Sequence, residues 1–195
     1  MLQNPDSKRS TKDDIKEAFL SVYAKKPLSQ ILIRELTTAC HISRSTFYFY
    51  YEDINSLLYE CMKDCIEYMR SSVPSVVLYS VGHEHDGYLE HQTELLERIK
   101  EQKDLISVLL TGSESAIFER MWFDDIYENH AKAIKFFKRL DSDHRNLLAR
   151  FFAAGTQCML KEWILDDCRK PTRMIATIRA QAQFYGMYDS KHVIE

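Results

Sequence analysis

Glycine and proline are scarce, with 5 and 4 among 195 residues, where an average chain carries roughly 12% of the two together. That excludes collagen-like, Gly/Ser-linker and Pro-rich disordered classes. It also argues against a sandwich or barrel, whose many corners need these residues. No run of 18 apolar residues exists, so no membrane-spanning helix is expected. The opening MLQNPDSKRSTKDD has no apolar stretch for a secretory signal. A cytoplasmic location without a membrane partner is the expectation. The five cysteines form an odd set, which fits reduced thiols better than a disulfide framework. Catalytic signatures are missing as well: there is no G-x-S-x-G, no GKS/GKT phosphate loop, no H-E-x-x-H and no Rossmann glycine pattern. No catalytic residue, cofactor or enzymatic activity is expected. A basic excess is lacking too. The net charge is −3, and residues 1–60 hold eight Lys/Arg against eight Asp/Glu. A case for nucleic-acid binding must therefore rest on local placement rather than global charge.

What is present is apolar and aromatic content, 45% and 12%, enough for a packed all-α globule of one to two domains. Ser10 or Thr11 caps a first helix, with Asp13 and Asp14 in its first turn, where the dipole favours anions. Ile15, Ala18, Phe19 and Val22 give that helix one apolar stripe, and Lys25-Lys26-Pro27 ends it. Ile33, Leu36 and Cys40 mark a second, short helix that breaks at His41-Ile42. Ser43 caps a third, Arg44 to Tyr51. Asp53 caps a fourth, carrying Ile54, Leu57, Leu58, Cys61, Cys65 and Met69. Five further helical segments follow a variable stretch at 74–86: Tyr88–Ile99, Asp104–Leu110, Glu114 to about Leu140, Asp143 to about Asp166 with Ser142 as cap, and Pro171–Tyr185 with Gly186 as stop.

Two short helices joined by a tight turn, with a helix on either side, form a helix-turn-helix arrangement. Its second helix suits the major groove. On Arg44–Tyr51, helical spacing groups Phe47, Tyr50 and Tyr51 on one side, able to pack on Leu36, Ile42, Phe19 and Leu57. Arg44, Ser45, Tyr48 and Phe49 share the other. Arg44 is suited to a guanine edge, and Ser45 and Thr46 to bases or phosphates. Tyr48 brings a phenol for a phosphate, and Phe49 an apolar edge for a thymine methyl. Composition alone equally allows these aromatics to be core.

The run from Ile33 through Leu58 resembles the DNA-binding signature of the tetracycline-repressor (TetR) family, over about residues 8–65 and without a gap. The resemblance implies an all-helical homodimer. A three-helix helix-turn-helix head at 8–68 would bind DNA, and a helical domain at 75–188 would dimerise and bind a small-molecule effector. It places Arg34, Ser43, Arg44, Ser45, Thr46, Tyr48, Phe49 and Tyr50 at DNA-contacting positions. Three positions depart from the family pattern. His41 stands at a turn position usually held by Gly, Ile54 replaces a phosphate-gripping lysine, and Glu52 replaces a frequently basic residue. These departures predict few phosphate contacts and a shallow salt dependence, with Lys8, Arg9 and Lys12 as compensating cations.

In such a fold the last two helices form the dimer interface. Leu147, Phe151, Ala154 and Cys158 would supply one stripe, and Ile175, Ile178 and Ala182, beside Met174, the other; an intrachain core fits the same pattern. Phe118, Met121, Trp122, Tyr127, Phe137 and Trp163 are candidates for an effector pocket, and also for ordinary packing. His83, His85 and His91 with Glu84 and Asp86 have metal-ligand chemistry but read better as a solvated loop. Cys61 and Cys65, at i, i+4, read better as core than as a metal or redox pair. The reading is a ligand-responsive repressor on a palindromic operator. Two alternatives stand beside it: a helical ligand-binding or enzymatic domain with a vestigial head, and a regulator controlled by a partner protein.

Overall fold

The computed structural model describes residues 10–70, 85–134 and 141–183. Among the described residues there are nine α-helices and no strand. They are α1 (Thr11–Tyr23), α2 (Ile33–Ala39), α3 (Arg44–Tyr50), α4 (Ile54–Arg70), α5 (His85–Glu101), α6 (Lys103–Thr111), α7 (Ser115–Ile134), α8 (Ser142–Leu165) and α9 (Thr172–Gln183). Two compact units result. The first holds the chain up to Tyr68 and also Asp104–Glu119; the second holds Met69–Lys103 and the chain from Arg120 onward. Asp104–Glu119 groups with the head rather than with the rest of the C-terminal part of the chain. The reason is local. The backbone N–H of Glu114 donates to the Tyr23 phenol oxygen at 2.9 Å, and that of Leu28 to Ser113 Oγ at 3.1 Å. Gly112 lies so close to Tyr23 that a Cβ there would meet its ring at 2.5 Å.

Short-range chemistry sets the helix ends of the head. Ser10 and Asp13 form a reciprocal capping box at the start of α1. Asp53 Oδ1 accepts from Ser56 N at 2.7 Å while Ser56 Oγ accepts from Asp53 N at 3.2 Å, a second box that opens α4. Ile15, Phe19, Leu36, Phe47, Leu57 and Met62 bury completely or nearly so and form the head's core. Cys61 and Cys65 belong to it. Burial pushes both thiols up to about 12, so they stay protonated and unreactive at neutral pH.

In the second unit α5 packs along α9. Asp141 caps α8, with His144 N donating to its carboxylate at 2.9 Å; the expected cap, Ser142, is the first helical residue instead. α8 closes on a Schellman turn, with Asp167 and Cys168 both left-handed (φ 58° and 52°). The Trp163 indole N–H donates to the Lys170 carbonyl at 2.9 Å across that turn. The helix expected to run to Leu140 is described to Ile134, and Phe137, His83, Glu84 and Gly186 lie outside the described residues. His85 and Asp86 open α5 rather than sitting in a loop. No group of three or more metal-ligating side chains occurs among the described residues. None of the described helices is long and apolar enough to cross a membrane.

Candidate functional site

α2 ends in a Schellman motif. Ile42 N donates to Thr37 O at 3.0 Å and His41 N to Thr38 O at 3.3 Å. That geometry needs a left-handed residue between them, and His41 takes it, with φ 54°. Ser43 then caps α3: its Oγ accepts from Thr46 N at 3.0 Å and lies within hydrogen-bond distance of Ser45 Oγ and Thr46 Oγ1, at 2.7 and 2.9 Å.

Phe47 anchors α3, fully buried and packed against Tyr51 with ring centroids 5.9 Å apart. The opposite side is open. Phe49 is 80% exposed and Tyr48 55%. Arg44 and Ser45 are exposed beside them, as are Ser43 and Arg34, and Thr46 is half-buried. Tyr50 departs from the inward placement that spacing predicts. It lies partly exposed, edge-on to Phe49 at 5.1 Å. Its backbone is the last helical residue, and the extended Tyr51 (φ −138°) takes the buried place instead.

The cations expected to compensate at the head's edge are not all available. Lys12 Nζ sits 2.7 Å from Glu60 and 5.7 Å from the Tyr51 ring centroid, so its charge is already matched. Lys8 and Arg9 lie outside the described residues. Ile54 and Glu52 add no positive charge beside α3.

This architecture has known counterparts. NalD of Pseudomonas aeruginosa, described as the secondary repressor of the MexAB-OprM multidrug efflux pump, superposes with a TM-score of 0.65 at 15% identity, covering 90% of this chain and 96% of that one. A TetR-family transcriptional regulator of Streptomyces coelicolor gives 0.60 at 14%, over 88% and 77%. Residues 88–182 match the TetR-type family described as transcriptional regulator C-terminal region. That match spans just under half of the chain and makes its C-terminal region similar to the TetR family. That is a family of transcription regulators, not of enzymes. YxbF of Bacillus subtilis (strain 168), named an uncharacterized HTH-type transcriptional regulator, is 21% identical over 187 residues, 92% of this chain. The chain spans about half the length of that curated relative, 47%.

In the second unit a cavity of about 70 Å³ opens among α4, α5, α7, α8 and α9. Its apolar wall includes Leu95, Ile99, Trp122, Ile126 and Leu160; its polar wall includes Gln92, Asn129, His130, Thr156 and Arg179. Of the described aromatic residues expected around an effector, only Trp122 lines it. Phe118 is buried in the other unit. Tyr127 takes the Arg150 guanidinium on its ring and donates to Asn146 at 3.0 Å. Trp163 is fixed by Lys170, and Met121 is half-buried away from the lining.

Sequence reasoning missed the polar wall, though a signal existed. Gln92 interrupts the stripe of Leu89, Leu95, Leu96 and Ile99, and His130 stands in the i+4 series Trp122, Ile126, Ile134. Burial, and secondarily the Arg179 charge, depress the His130 pKa to about 4, so the ring is neutral at pH 7. Its Nε2 lies 3.5 Å from Thr156 Oγ1. At the cavity's edge Asp125 meets Arg70 at 3.3 Å; burial outweighs that ion pair and raises the carboxyl's pKa.

The stripe expected for dimerisation lies on the outside. Leu147 is 68% exposed and Phe151 72%, with Ala154 and Cys158 exposed along the same side of α8. Met174, Ile178 and Ala182 are exposed on α9. Ile175 is the exception. One residue, or about 100° of rotation, separates it from Met174, and it packs into the core of its own chain.

Proposed function

We propose that the protein is a homodimeric, effector-responsive repressor that reads a palindromic operator with α3. The observation that carries this is the division of α3 into a buried anchor, Phe47, and an outer face where exposed Phe49 and Tyr48 flank Arg44 and Ser45. Aromatic surface of that extent is unfavourable in water, and beside a guanidinium and hydroxyls it matches a major groove rather than another protein core. Arg44 would donate to a guanine edge, Phe49 would meet a thymine methyl, and Tyr48, Tyr50, Ser43, Ser45, Thr46 and Arg34 would hold backbone or base edges. A second copy would cover the apolar sides of α8 and α9 around a two-fold axis, through Leu147, Phe151, Ala154, Cys158, Ile178 and Ala182. Two heads related by that axis read half-sites about 34–36 Å apart. Ligand in the second-unit cavity would favour a head spacing that does not fit the operator, and differential affinity for that state would release DNA. NalD, similar in fold, supports the repressor sign.

Selection of bound duplexes from a random pool tests this with the full chain. An enriched palindrome is expected, and Arg44→Ala or Tyr48→Ala should abolish enrichment while circular dichroism and the dimer persist. Enrichment that survives both substitutions, or no enriched motif, would overturn the assignment. A second reading, a ligand-binding protein with a weak head, draws support from the matched charge of Lys12 and from Ile54 and Glu52. A duplex affinity that stays at the non-specific level even in low salt would favour it.

A further inference from the structure

We propose that the second-unit cavity takes a small, neutral ligand that presents a hydrogen-bond donor and acceptor side by side, as a primary amide, lactam or urea does, and that Gln92 is the residue that reads it. This rests on the reading of that cavity as the effector site, and adds the chemistry of its occupant.

Gln92 has no exposed surface, yet neither its Nε2 nor its Oε1 has a hydrogen-bond partner. It lines the cavity. A buried amide with both ends unsatisfied is costly, and native proteins rarely retain one without a use. Its side chain offers one N–H donor and the carbonyl acceptor side by side on one planar edge, with the second N–H pointing away. The group that satisfies both ends at once is another amide edge, in a paired arrangement of two hydrogen bonds. A carboxylate would meet Nε2 but set two oxygens against each other at Oε1. An aliphatic group would leave both ends orphaned.

Apart from Arg179 and the Arg70–Asp125 ion pair, the remaining walls suit a small, uncharged, planar occupant. Trp122, Ile126 and Leu160 supply apolar surface, and the His130 ring, neutral and with Nε2 already facing Thr156 Oγ1, adds a polar but uncharged wall. The volume, about 70 Å³, is far below the roughly 300 Å³ at which drug-sized ligands begin. The occupant, or the part of it that enters, therefore has only a few heavy atoms. Arg179 also lines the cavity, which makes a small anion the competing class.

The test titrates the ¹⁵N-labelled full chain with three probes of matched size: acetamide, acetate and 1-propanol. The readouts are the Trp122 indole N–H and the Gln92 side-chain amide cross-peaks, the latter assigned by its absence from Gln92→Leu. Acetamide should shift both saturably, with a dissociation constant on the order of millimolar for so few atoms. Acetate and propanol should bind at least ten-fold more weakly, and Gln92→Leu should lose the acetamide preference. Should Gln92→Leu fail to fold, the ranking of the probes at Trp122 in the unsubstituted chain still decides. Acetate binding tightest would make this an anion site. Propanol binding as well as acetamide would make it an apolar one. In either case the class proposed here falls and the effector-cavity reading survives. No saturable shift from any probe would mean that water alone satisfies Gln92, and both readings would fall.

Discussion

The head is apolar inside and carries its chemistry outside; in the second unit the two are exchanged. The head's core is aliphatic and aromatic. Few polar side-chain atoms are buried among its described residues: Thr37 donates to Arg34 O at 3.1 Å, and the Tyr51 phenol oxygen is buried without a partner. Its outer face mixes Tyr48 and Phe49 with Arg44 and hydroxyls. The second unit buries Gln92, His130, Thr156 and Thr172, and turns Leu147, Phe151, Met174 and Ile178 outward. Both units expose aromatics to a similar degree, so exposure alone does not name a partner. The neighbours do. An aromatic beside a guanidinium suits a groove of base edges and phosphates, whereas an unbroken aliphatic and aromatic stripe suits another such stripe.

The largest effect should come from reversing that chemistry on α8. Phe151→Asp would place a charge at the centre of the apolar stripe, where the proposed partner copy would leave no water. It should weaken dimerisation by at least about 100-fold, or roughly 2.7 kcal/mol. Size-exclusion chromatography with light scattering should show a monomer that retains its helical circular dichroism. Phe49→Asp, equally exposed but on the head, should leave the dimer intact and remove operator binding. If both variants remain dimeric, the stripe on α8 has another occupant and the contrast between the two faces loses its meaning.

The interiors are separated by acid. His130 titrates near 6.5 when unfolded and at about 4 in the folded chain. Its neutral form therefore stabilises the fold fully above pH 6.5, and this is lost as pH falls through 4, because the unfolded chain takes up the proton first. The loss amounts to up to roughly 3 kcal/mol for a shift of that size. Urea unfolding of the unsubstituted chain and of His130→Leu should diverge between pH 7 and pH 4.5, with the variant's stability falling less. Carboxylates held low by partners, Glu60 by Lys12 and Lys16 among them, contribute to both chains and cancel in the difference. Parallel pH profiles would show that the second unit's polar interior is solvated after all.

How much of this was legible depended on range. Caps and breaks are set within four residues, so Ser10, Ser43 and Asp53 could be read directly, and so could the break at His41. Asp141 could not, because Ser142 next to it is an equally good cap type and only the backbone decides between them. Tyr50 was misplaced because α3 is two turns long and the chain leaves the helix right after it. Ile175 was misplaced because it adjoins Met174 and the apolar stripe of α9 is broad. The cavity lies furthest from the sequence. Five helices must assemble before it exists, and an aromatic count around it picks packing residues instead. The polar interruptions at Gln92 and His130 were its trace.

The turn of the head gives a smaller effect. His41 holds a left-handed conformation that costs a residue with a Cβ about 1–2 kcal/mol relative to Gly, partly offset by the extra freedom Gly has when unfolded. His41→Gly should stabilise the chain by up to about 1 kcal/mol, read from the urea midpoint. It should leave operator specificity unchanged, since His41 is outside the α3 face. A destabilised variant would mean that the imidazole makes a contact worth more than the strain.

The smallest effect concerns how little the head uses charge. With Lys12 matched by Glu60 and Ile54 at the start of α4, few cations remain among the described residues of the head to displace counterions from DNA, and the fall of affinity with salt should be shallow. Ile54→Lys restores one cation per head. Each new phosphate contact adds about 0.9 to the slope of log K against log salt, so a dimer gains about 1.8. Fluorescence anisotropy on the selected operator between 50 and 300 mM salt would measure it. The substitution works slightly against the helix, since a cation in the first turn of α4 opposes the dipole by a few tenths of a kcal/mol. A low-salt gain that outweighs this cost, with an unchanged preference among operator variants, would show that position 54 faces phosphate and that base selection stays with α3. If the slope does not move, the start of α4 lies off the DNA backbone, and the exposed Tyr48 and Phe49 face carries still more of the binding than its neighbours imply.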